Sequence, residues 1–346
     1  MQKIFGSATM LIIGITLVGT GAMAQPSSAG PIDQAGAPIA AEVVRLKGIL
    51  ASLKLPAADN EFYSGQFSRI ERAAQSGHVF LSLFLLHQPE ATLPAFEYQK
   101  ARADVEKVGL EALEQEWRRL GGELGDKERR LTAAPARRLP IAAQGVIERS
   151  LTQVQPHYQS GRLYGQQTTV ADGLFYLGRA KAQLDFALFC HGLDLAAPGA
   201  APRLRSLAPE LEELESEVLQ AYRRHGAADQ QNTFIRINAS LKMAQDLERE
   251  RRFSGALLQY LEVCRALEAA GSVSSESLAP DTLKSQSEAF RARLTAGRTD
   301  NSVGWLYWQM AQAAIESGDA NDQKQAAVIL NHVAPRYFKY MARIKK

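Results

Sequence analysis

The chain contains 346 residues, of which 40 are Lys or Arg and 37 are Asp or Glu, so its formal net charge is only +3. Charges of both signs are mixed along the chain, which gives no basis for a nucleic-acid-binding surface. The 2 Cys are too few for a disulfide scaffold, and the length suits two modest domains or one elongated array.

Residues 1–24 have the pattern of a secretory signal peptide. One early Lys precedes a short apolar run, and Ala22-Met23-Ala24 has the small-x-small form of a cleavage site. The run is shorter than the roughly 20 residues that a membrane-spanning helix needs. We therefore expect a periplasmic or secreted protein that keeps no stable membrane span after cleavage. An uncleaved membrane anchor is the alternative.

The segment 25–38 is rich in Pro, Gly, Ser and Ala and is predicted to be a flexible leader. Beyond it, apolar residues recur at spacings of three and four, which is the period of an amphipathic helix, and no segment alternates like a strand. The predicted class is therefore all-α. The predicted helices cover 39–53, a hairpin at 61–87, 96–120, 135–154, 168–195, 209–225, 230–249, 253–270, 281–296, 304–317 and 323–342.

Proline and glycine set the predicted boundaries. Pro89 and Pro94 are predicted to separate two helices, because proline breaks helix interiors, and Gly121-Gly122 is predicted to end the next helix. Ala196–Pro202, with the sequence AAPGAAP, is the clearest internal linker. These boundaries predict an N-terminal helical domain at 39–195, a linker at 196–208 and a C-terminal helical domain at 209–346.

The segment 243–267 carries the most specific pattern in the chain. Helical spacing on both sides of the polar stretch Glu248–Arg252 predicts two helices that meet at an elbow. The order and spacing of small and bulky residues resemble a tetratricopeptide repeat, on the residues Ala244, Leu247, Phe253, Ala256 and Tyr260. Glu268 stands near the position of that repeat's final proline, and a second unit is possible at 304–333.

This resemblance implies helical hairpins that pack as an irregular α-solenoid, with the C-terminal domain like a tetratricopeptide array. A two-lobed helical bundle is the alternative. The two architectures differ in what they imply for Cys190 and Cys264, which are 74 residues apart. In a regular array they would be on the order of 20 Å from each other, so we predict two buried, unpaired thiols.

Motifs for catalysis, metal binding and cofactor binding are missing from the sequence. There is no phosphate-binding loop, no G-x-G-x-x-G after a strand, no H-E-x-x-H and no G-x-S-x-G. Cys190, His191 and Asp194 form the only soft-ligand cluster, and structural zinc needs four ligands. Glu316-Ser317 is similar to the Glu-Ser pair of lytic transglycosylases, whose G-L-M-Q block is absent. We predict no catalytic residue, no metal and no cofactor, and we leave enzymatic activity open while favouring a non-enzyme.

Two aromatic pairs are the remaining candidates for a site. Trp305 and Trp308 are three residues apart, and Tyr337 and Tyr340 repeat that spacing near the basic C-terminus. Such residues most often belong to a core, but where partly exposed they suit a peptide groove, since Trp and Tyr anchor interfaces. We predict that these four residues contact a protein or peptide partner.

The sequence thus suggests an exported, non-catalytic helical-repeat protein that binds a protein or peptide in the cell envelope. The alternative is an envelope enzyme that acts on cell-wall material, or a helical bundle that binds a small ligand.

Overall fold

The computed structural model describes residues 35–133, 138–195, 197, 199–225, 230–271 and 279–344. The predicted signal peptide and residues 25–34 of the predicted leader lie outside these ranges. Regular structure within them is helical, apart from an isolated bridge between Ala200 and Thr299. The prediction of an all-α class is therefore confirmed. Among the described helices, none has the length and apolar character needed to cross a membrane.

The helices follow one another with short connections. In chain order they are α1 (Gly36–Leu53), α2 (Ala57–Gln75), α3 (Val79–Lys100), α4 (Ala103–Val108), α5 (Leu110–Ala133), α6 (Ile141–Gln167), α7 (Val170–Gly192), α8 (Ala208–His225), α9 (Gln231–Arg249), α10 (Phe253–Gly271), α11 (Pro280–Thr295), α12 (Ser302–Ser317), α13 (Ala320–Val328) and α14 (Ala334–Ile344), with a π-helical turn at Ile329–Val333. Thr169 accepts a backbone hydrogen bond at the start of α7, and Asp319 does so at the start of α13.

Helix α3 shows that the predicted break at Pro89 and Pro94 is wrong, because both prolines lie inside it. A proline in a helix interior costs about 3 kcal/mol. Burial outweighs this penalty, since each fully buried Leu or Phe contributes about 1.5–3 kcal/mol. Helix α3 packs against α1, α2, α7 and α12 and buries Phe80, Leu81, Leu83, Leu86 and Leu93.

Gly121 also does not end a helix, because α5 continues through it to Ala133. A Cβ atom at position 121 would lie 2.3 Å from the hydroxyl of Tyr158, so the glycine allows α5 and α6 to approach closely. The chain breaks instead at Gly109, where φ is +102°, a backbone conformation that residues with a side chain rarely adopt. The predicted helix 96–120 is therefore divided among the end of α3, α4 and α5.

Glycines bring the central helices of the N-terminal half into close contact. A Cβ atom on Gly173 of α7 would lie 2.7 Å from the carbonyl oxygen of Gly161 in α6. One on Gly178 of α7 would lie 2.8 Å from the Cα atom of Ala95 in α3. This packing fixes α3 and α7 relative to each other, and both helices contribute side chains to the site described below.

Helices α9 and α10 form the predicted hairpin, and Ala244, Leu247, Ala256 and Tyr260 are buried in it. Helices that are distant in sequence also pack together: α6 contacts α10 and α12, and α3 contacts α12. One cluster of buried apolar side chains includes residues from both predicted domains. Because each repeat of a regular solenoid touches only its neighbours, these contacts favour a packed helical bundle.

Cys190 and Cys264 are both free and fully buried, as predicted. Burial raises the pKa of the Cys190 thiol well above its ordinary value, and burial also raises the pKa of Cys264 to about 12. Both therefore belong to the core as small apolar side chains.

We expect Ala256→Leu to lower the free energy of unfolding by about 1–3 kcal/mol, because overpacking a tight helix contact forces neighbours to shift. Ala256 is fully buried in α10, whereas Ala292 is exposed on α11 and provides a matched control. Urea unfolding of Ala256→Leu and Ala292→Leu measures the difference. Equal midpoints for the two variants would contradict a close helix crossing at Ala256.

Candidate functional site

A cavity of about 470 Å³ lies between α1, α3 and α7, and its volume is in the range of small-ligand sites. We call it the α1–α3–α7 cavity. Its lining combines charged, aromatic and small side chains: Glu42 and Arg45 from α1; Glu90, Pro94, Glu97, Tyr98 and the adjoining Ala101 and Arg102; Gly178, Lys181, Ala182, Asp185, Phe186 and Phe189 from α7.

Helical spacing explains why these side chains face the same space. On α3, Glu90, Pro94 and Glu97 are separated by four and three residues, so they form one stripe along the helix. On α7, Lys181 and Asp185 are one turn apart and lie on the same side. The close contact of α3 with α7 at Gly178 sets the two stripes side by side.

A pair of carboxyl groups, from the buried Glu90 and the half-buried Glu42, lies at one end of the cavity. The Nη2 atom of Arg45 is 2.5 Å from Oε1 of Glu42 and 2.8 Å from Oε2 of Glu90. Glu90 is only 4% exposed, and its Oε1 atom is buried without a hydrogen-bond partner among the described residues. A buried carboxyl oxygen that accepts no hydrogen bond is unfavourable, so this atom is a candidate acceptor for a donor on a ligand.

The pKa values of the two carboxyl groups are shifted in opposite directions. Burial raises the pKa of Glu90 well above its ordinary value, and the neighbouring Glu42 raises it further. Burial acts to raise the pKa of Glu42 as well, but hydrogen bonds with Glu90 and Arg45 outweigh it and lower that pKa. Within the pair, a proton is therefore held preferentially by Glu90, and Glu42 is the carboxyl group that ionises more readily.

Arg102 is held rigidly near the other end. Its guanidinium carbon is 3.5 Å from the ring centroid of Tyr98, and it also forms an ion pair with Glu116. Tyr98 donates a 2.5 Å hydrogen bond to Oε1 of Glu116, and Nε of Arg119 donates one of 2.7 Å to Oε2. Burial acts to raise the pKa of Glu116, but these hydrogen bonds outweigh it and lower that pKa to about 2. Arg102 is thus held between the Tyr98 ring and the carboxylate of Glu116.

Lys181 and an apolar wall complete the cavity. Lys181 pairs with Asp185, which also accepts a 2.6 Å hydrogen bond from Lys127. Phe186 and Phe189 stack with their ring centroids 6.1 Å apart. The cavity therefore offers a hydrogen-bond acceptor at the carboxyl pair, cationic donors near Lys181 and Arg102, and an apolar surface between them.

The residues predicted as partner contacts lie elsewhere. Tyr337 and Tyr340 are each 1% exposed, and Tyr340 donates a 2.7 Å hydrogen bond to the carbonyl oxygen of Arg205. Both tyrosines are therefore core residues. Trp305 and Trp308 are half-buried and meet edge to face with their ring centroids 5.4 Å apart. The structure thus brings the two Trp together, and their contact with a partner stays a prediction.

No group of three or more His, Cys, Asp or Glu side chains in the described part of the chain is arranged to hold a metal ion. This finding covers the cavity, whose three Glu are accompanied by Arg45 and Lys181.

We expect Glu90→Gln to stabilise the folded chain at neutral and alkaline pH. A carboxyl group with a raised pKa favours the folded state fully below its unfolded value of about 4.5, and this contribution is lost as the pH rises through the folded value. Gln cannot ionise, and it can accept from Arg45 and donate to Glu42 as the protonated acid does.

Urea unfolding at pH 5 and pH 8 measures the effect, with Glu97→Gln as the control because Glu97 is exposed on the same stripe. The stability gained by Glu90→Gln should grow between the two pH values. If Glu90→Gln lowered the free energy of unfolding by the same amount at pH 5 and at pH 8, this would contradict a proton held by the pair.

Comparisons with protein-family models, curated proteins and solved structures found no match for this chain. The tetratricopeptide resemblance therefore stays a prediction, and the function is argued from the cavity itself.

Proposed function

We propose that this chain is an exported, non-catalytic binding protein that holds a short peptide with a free amino terminus in the α1–α3–α7 cavity. The observation that carries the proposal is the buried Oε1 atom of Glu90, which belongs to a cavity-lining residue and accepts no hydrogen bond from an N–H or O–H group of the other described residues. Buried polar atoms in folded proteins nearly always have a partner. A donor on the ligand would supply it.

An ammonium group is the donor that suits this position best. The pKa shifts favour a proton on Glu90, and a positively charged ligand N–H beside the pair would favour the ionised form of both carboxyl groups. Charge-assisted hydrogen bonds of this kind are roughly twice as strong as neutral ones. Glu97 adds a further carboxylate on the same stripe, and it makes no ion pair with any described residue.

The remaining length of the cavity favours a peptide over a simple amine. The stripe from Glu90 to Ala101 is about 16 Å long at 1.5 Å per residue, which an extended peptide covers with about five residues. Arg102 and Lys181 would then meet peptide carbonyl groups or a terminal carboxylate. Phe186 and Phe189 suit an apolar side chain, and a small amine would reach neither group.

Calorimetric titration with five-residue peptides tests the proposal, with each peptide prepared both with a free amino terminus and N-acetylated. We expect the acetylated form to bind at least about tenfold more weakly, because it lacks the charge-assisted hydrogen bonds. Glu90→Gln should remove most of that difference. Glu288→Gln is the control, because Glu288 is exposed on α11. Equal binding of the two peptide forms by the wild-type chain would contradict the proposal.

The same carboxyl pair supports a second candidate, hydrolysis of cell-wall material. Neighbouring carboxyl groups whose pKa values are driven apart can act as acid and base, and those of Glu42 and Glu90 are shifted in opposite directions. Incubation of the chain with peptidoglycan separates the two functions. The binding proposal predicts no soluble fragments. If fragments form with the wild-type chain and not with Glu42→Gln, the binding proposal is wrong and hydrolysis is the function of the carboxyl pair.

A further inference from the structure

Helix α8 has an apolar side in the core and a second apolar group exposed to solvent. Leu211, Leu214 and Val218 are buried. Leu219 and Tyr222, on the same helix, are 48% and 45% exposed. These two side chains are three residues apart and are therefore neighbours on the helix surface.

Helix α9 adds to this exposed apolar group. The ring of Tyr222 meets that of Phe234 edge to face, with centroids 5.4 Å apart, and Ile235, the next residue on α9, is 57% exposed. We call Leu219, Tyr222 and Ile235 the α8–α9 patch. Single exposed apolar side chains are normal, whereas a group of them is typical of an interaction surface.

Opposite charges stand at equal distances on the two sides of Leu219. Glu215 precedes it by four residues and Arg223 follows it by four, so the three side chains form one ridge along α8. Each charged residue is about 6 Å from Leu219 along the helix axis. Both are exposed.

Neither charge of this ridge is paired within the described part of the chain. Glu215 accepts a 3.0 Å hydrogen bond from the neutral amide of Gln245 on α9. Glu215 and Arg223 form no ion pair with a described residue. Both are therefore available to opposite charges on another molecule.

The ridge is complementary to a second copy of itself. If two α8 helices pack antiparallel with Leu219 against Leu219, Glu215 of each copy is level with Arg223 of the other. The same ion pair then forms at both ends of the contact. Helices that pack along such ridges cross at about 50° with their axes about 8–10 Å apart.

We propose that the α8–α9 patch joins two copies of this chain in a twofold-symmetric dimer. A twofold interface uses the same surface of both copies, and the ridge of Glu215, Leu219 and Arg223 meets that requirement. Burial of the apolar patch supplies the attraction, and the two ion pairs fix the orientation. Helix α8 contributes no side chain to the lining of the α1–α3–α7 cavity, so the dimer does not use the peptide site.

Sedimentation equilibrium tests the dimer, and concentrations from about 1 µM to 0.5 mM cover the affinities expected of a small interface. We expect the mass to rise reversibly from one chain to two. Arg223→Glu should weaken the dimer at least about tenfold, because two carboxylates then meet at each end. The double variant Glu215→Arg/Arg223→Glu restores opposite charges and should recover the dimer. Lys324→Glu, at an exposed position on α13, is the control for the change in charge.

Cysteine cross-linking tests the position of the contact. Leu219→Cys adds an exposed thiol to a chain whose natural cysteines, Cys190 and Cys264, are both buried. In the proposed dimer the two new residues face each other with Cα atoms about 5 Å apart, and a disulfide needs less than about 7 Å. Oxidation with copper phenanthroline should therefore give a covalent dimer. Leu163→Cys is the matched control, because Leu163 is also 48% exposed but lies on α6.

A chain that stays monomeric at every concentration overturns the proposal. So does a double variant that associates no better than Arg223→Glu, because simple loss of stability would not be reversed by a second charge change. Equal cross-linking of Leu163→Cys and Leu219→Cys would also overturn it. All these variants should bind the free-amine peptide as the wild-type chain does, so failure of the dimer is distinguishable from failure of the peptide site.

Discussion

Lowering the pH from 7 to 4.5 is expected to reduce the free energy of unfolding by about 2–3 kcal/mol for each of His87 and His157. The pKa of each is about 3 in the folded chain, because both are buried and Arg179 acts on both. The unfolded value is about 6.5. A base with a lowered folded pKa favours the unfolded state once the unfolded chain takes up a proton. The loss therefore begins near pH 6.5 and continues toward pH 3.

Urea unfolding in chloride buffers between pH 7 and pH 4.5 measures this dependence. His157→Gln should flatten it by about half, whereas His332→Gln, at an exposed position, should not. Glu90 acts in the opposite sense over this range, because its raised pKa favours the folded state as the pH falls. The decisive quantity is therefore the difference in the free energy of unfolding between each variant and the wild-type chain at each pH. Parallel curves for His157→Gln and the wild-type chain would contradict a neutral, buried His157.

Arg265→Met is expected to lower the free energy of unfolding by about 3–5 kcal/mol, because it leaves a buried carboxylate without its cation. The Nη2 atom of Arg265 is 3.0 Å from Glu262, and its Nη1 atom donates a 3.1 Å hydrogen bond to Gln325. Tyr307 donates a 2.9 Å hydrogen bond to the same carboxylate. This network joins α10, α12 and α13, and the side chains of Glu262 and Arg265 are only 13% and 16% exposed.

The double variant Arg265→Met/Glu262→Leu should recover much of the lost stability, since both charges are then removed. Arg129→Met is the control, because Arg129 forms an exposed ion pair with Asp126, and such pairs contribute about 0–1 kcal/mol. The measurement is urea unfolding of the wild-type chain, Arg265→Met, the double variant and Arg129→Met. A loss below about 1 kcal/mol in Arg265→Met would show that the pair contributes no more than a surface pair.

Apolar periodicity was sufficient to predict the class and most helices, because many of the helices bury an apolar stripe. Helix α8, at Ala208–His225, agrees with the prediction at 209–225. Local boundary residues were less reliable. Pro89, Pro94 and Gly121 have the preferences of helix ends, but packing places all three inside helices. The sequence around Gly121 cannot predict that this residue faces the hydroxyl of Tyr158, because the two residues lie on different helices.

The site could not be predicted in the same way. Glu42 and Glu90 are far apart in the sequence, and charged residues at helical spacing usually indicate a solvated face. One sequence signal that was not used is that Glu90 is the only Asp, Glu, Lys or Arg in the apolar stretch 79–96. Tyr337 and Tyr340 were predicted as partner contacts on the condition that they are partly exposed, and the structure places both residues in the core.

The central claim is that a peptide occupies the α1–α3–α7 cavity, and closing the cavity tests it most directly. Ala101 lies at the cavity lining and is itself exposed, so Ala101→Trp can fill the space without disturbing the core. Ala292→Trp, at an exposed position on α11, is the matched control. Calorimetric titration with the free-amine peptide should show binding by the wild-type chain and Ala292→Trp, and none by Ala101→Trp at unchanged stability. Wild-type affinity in Ala101→Trp would contradict the claim that the peptide binds in this cavity.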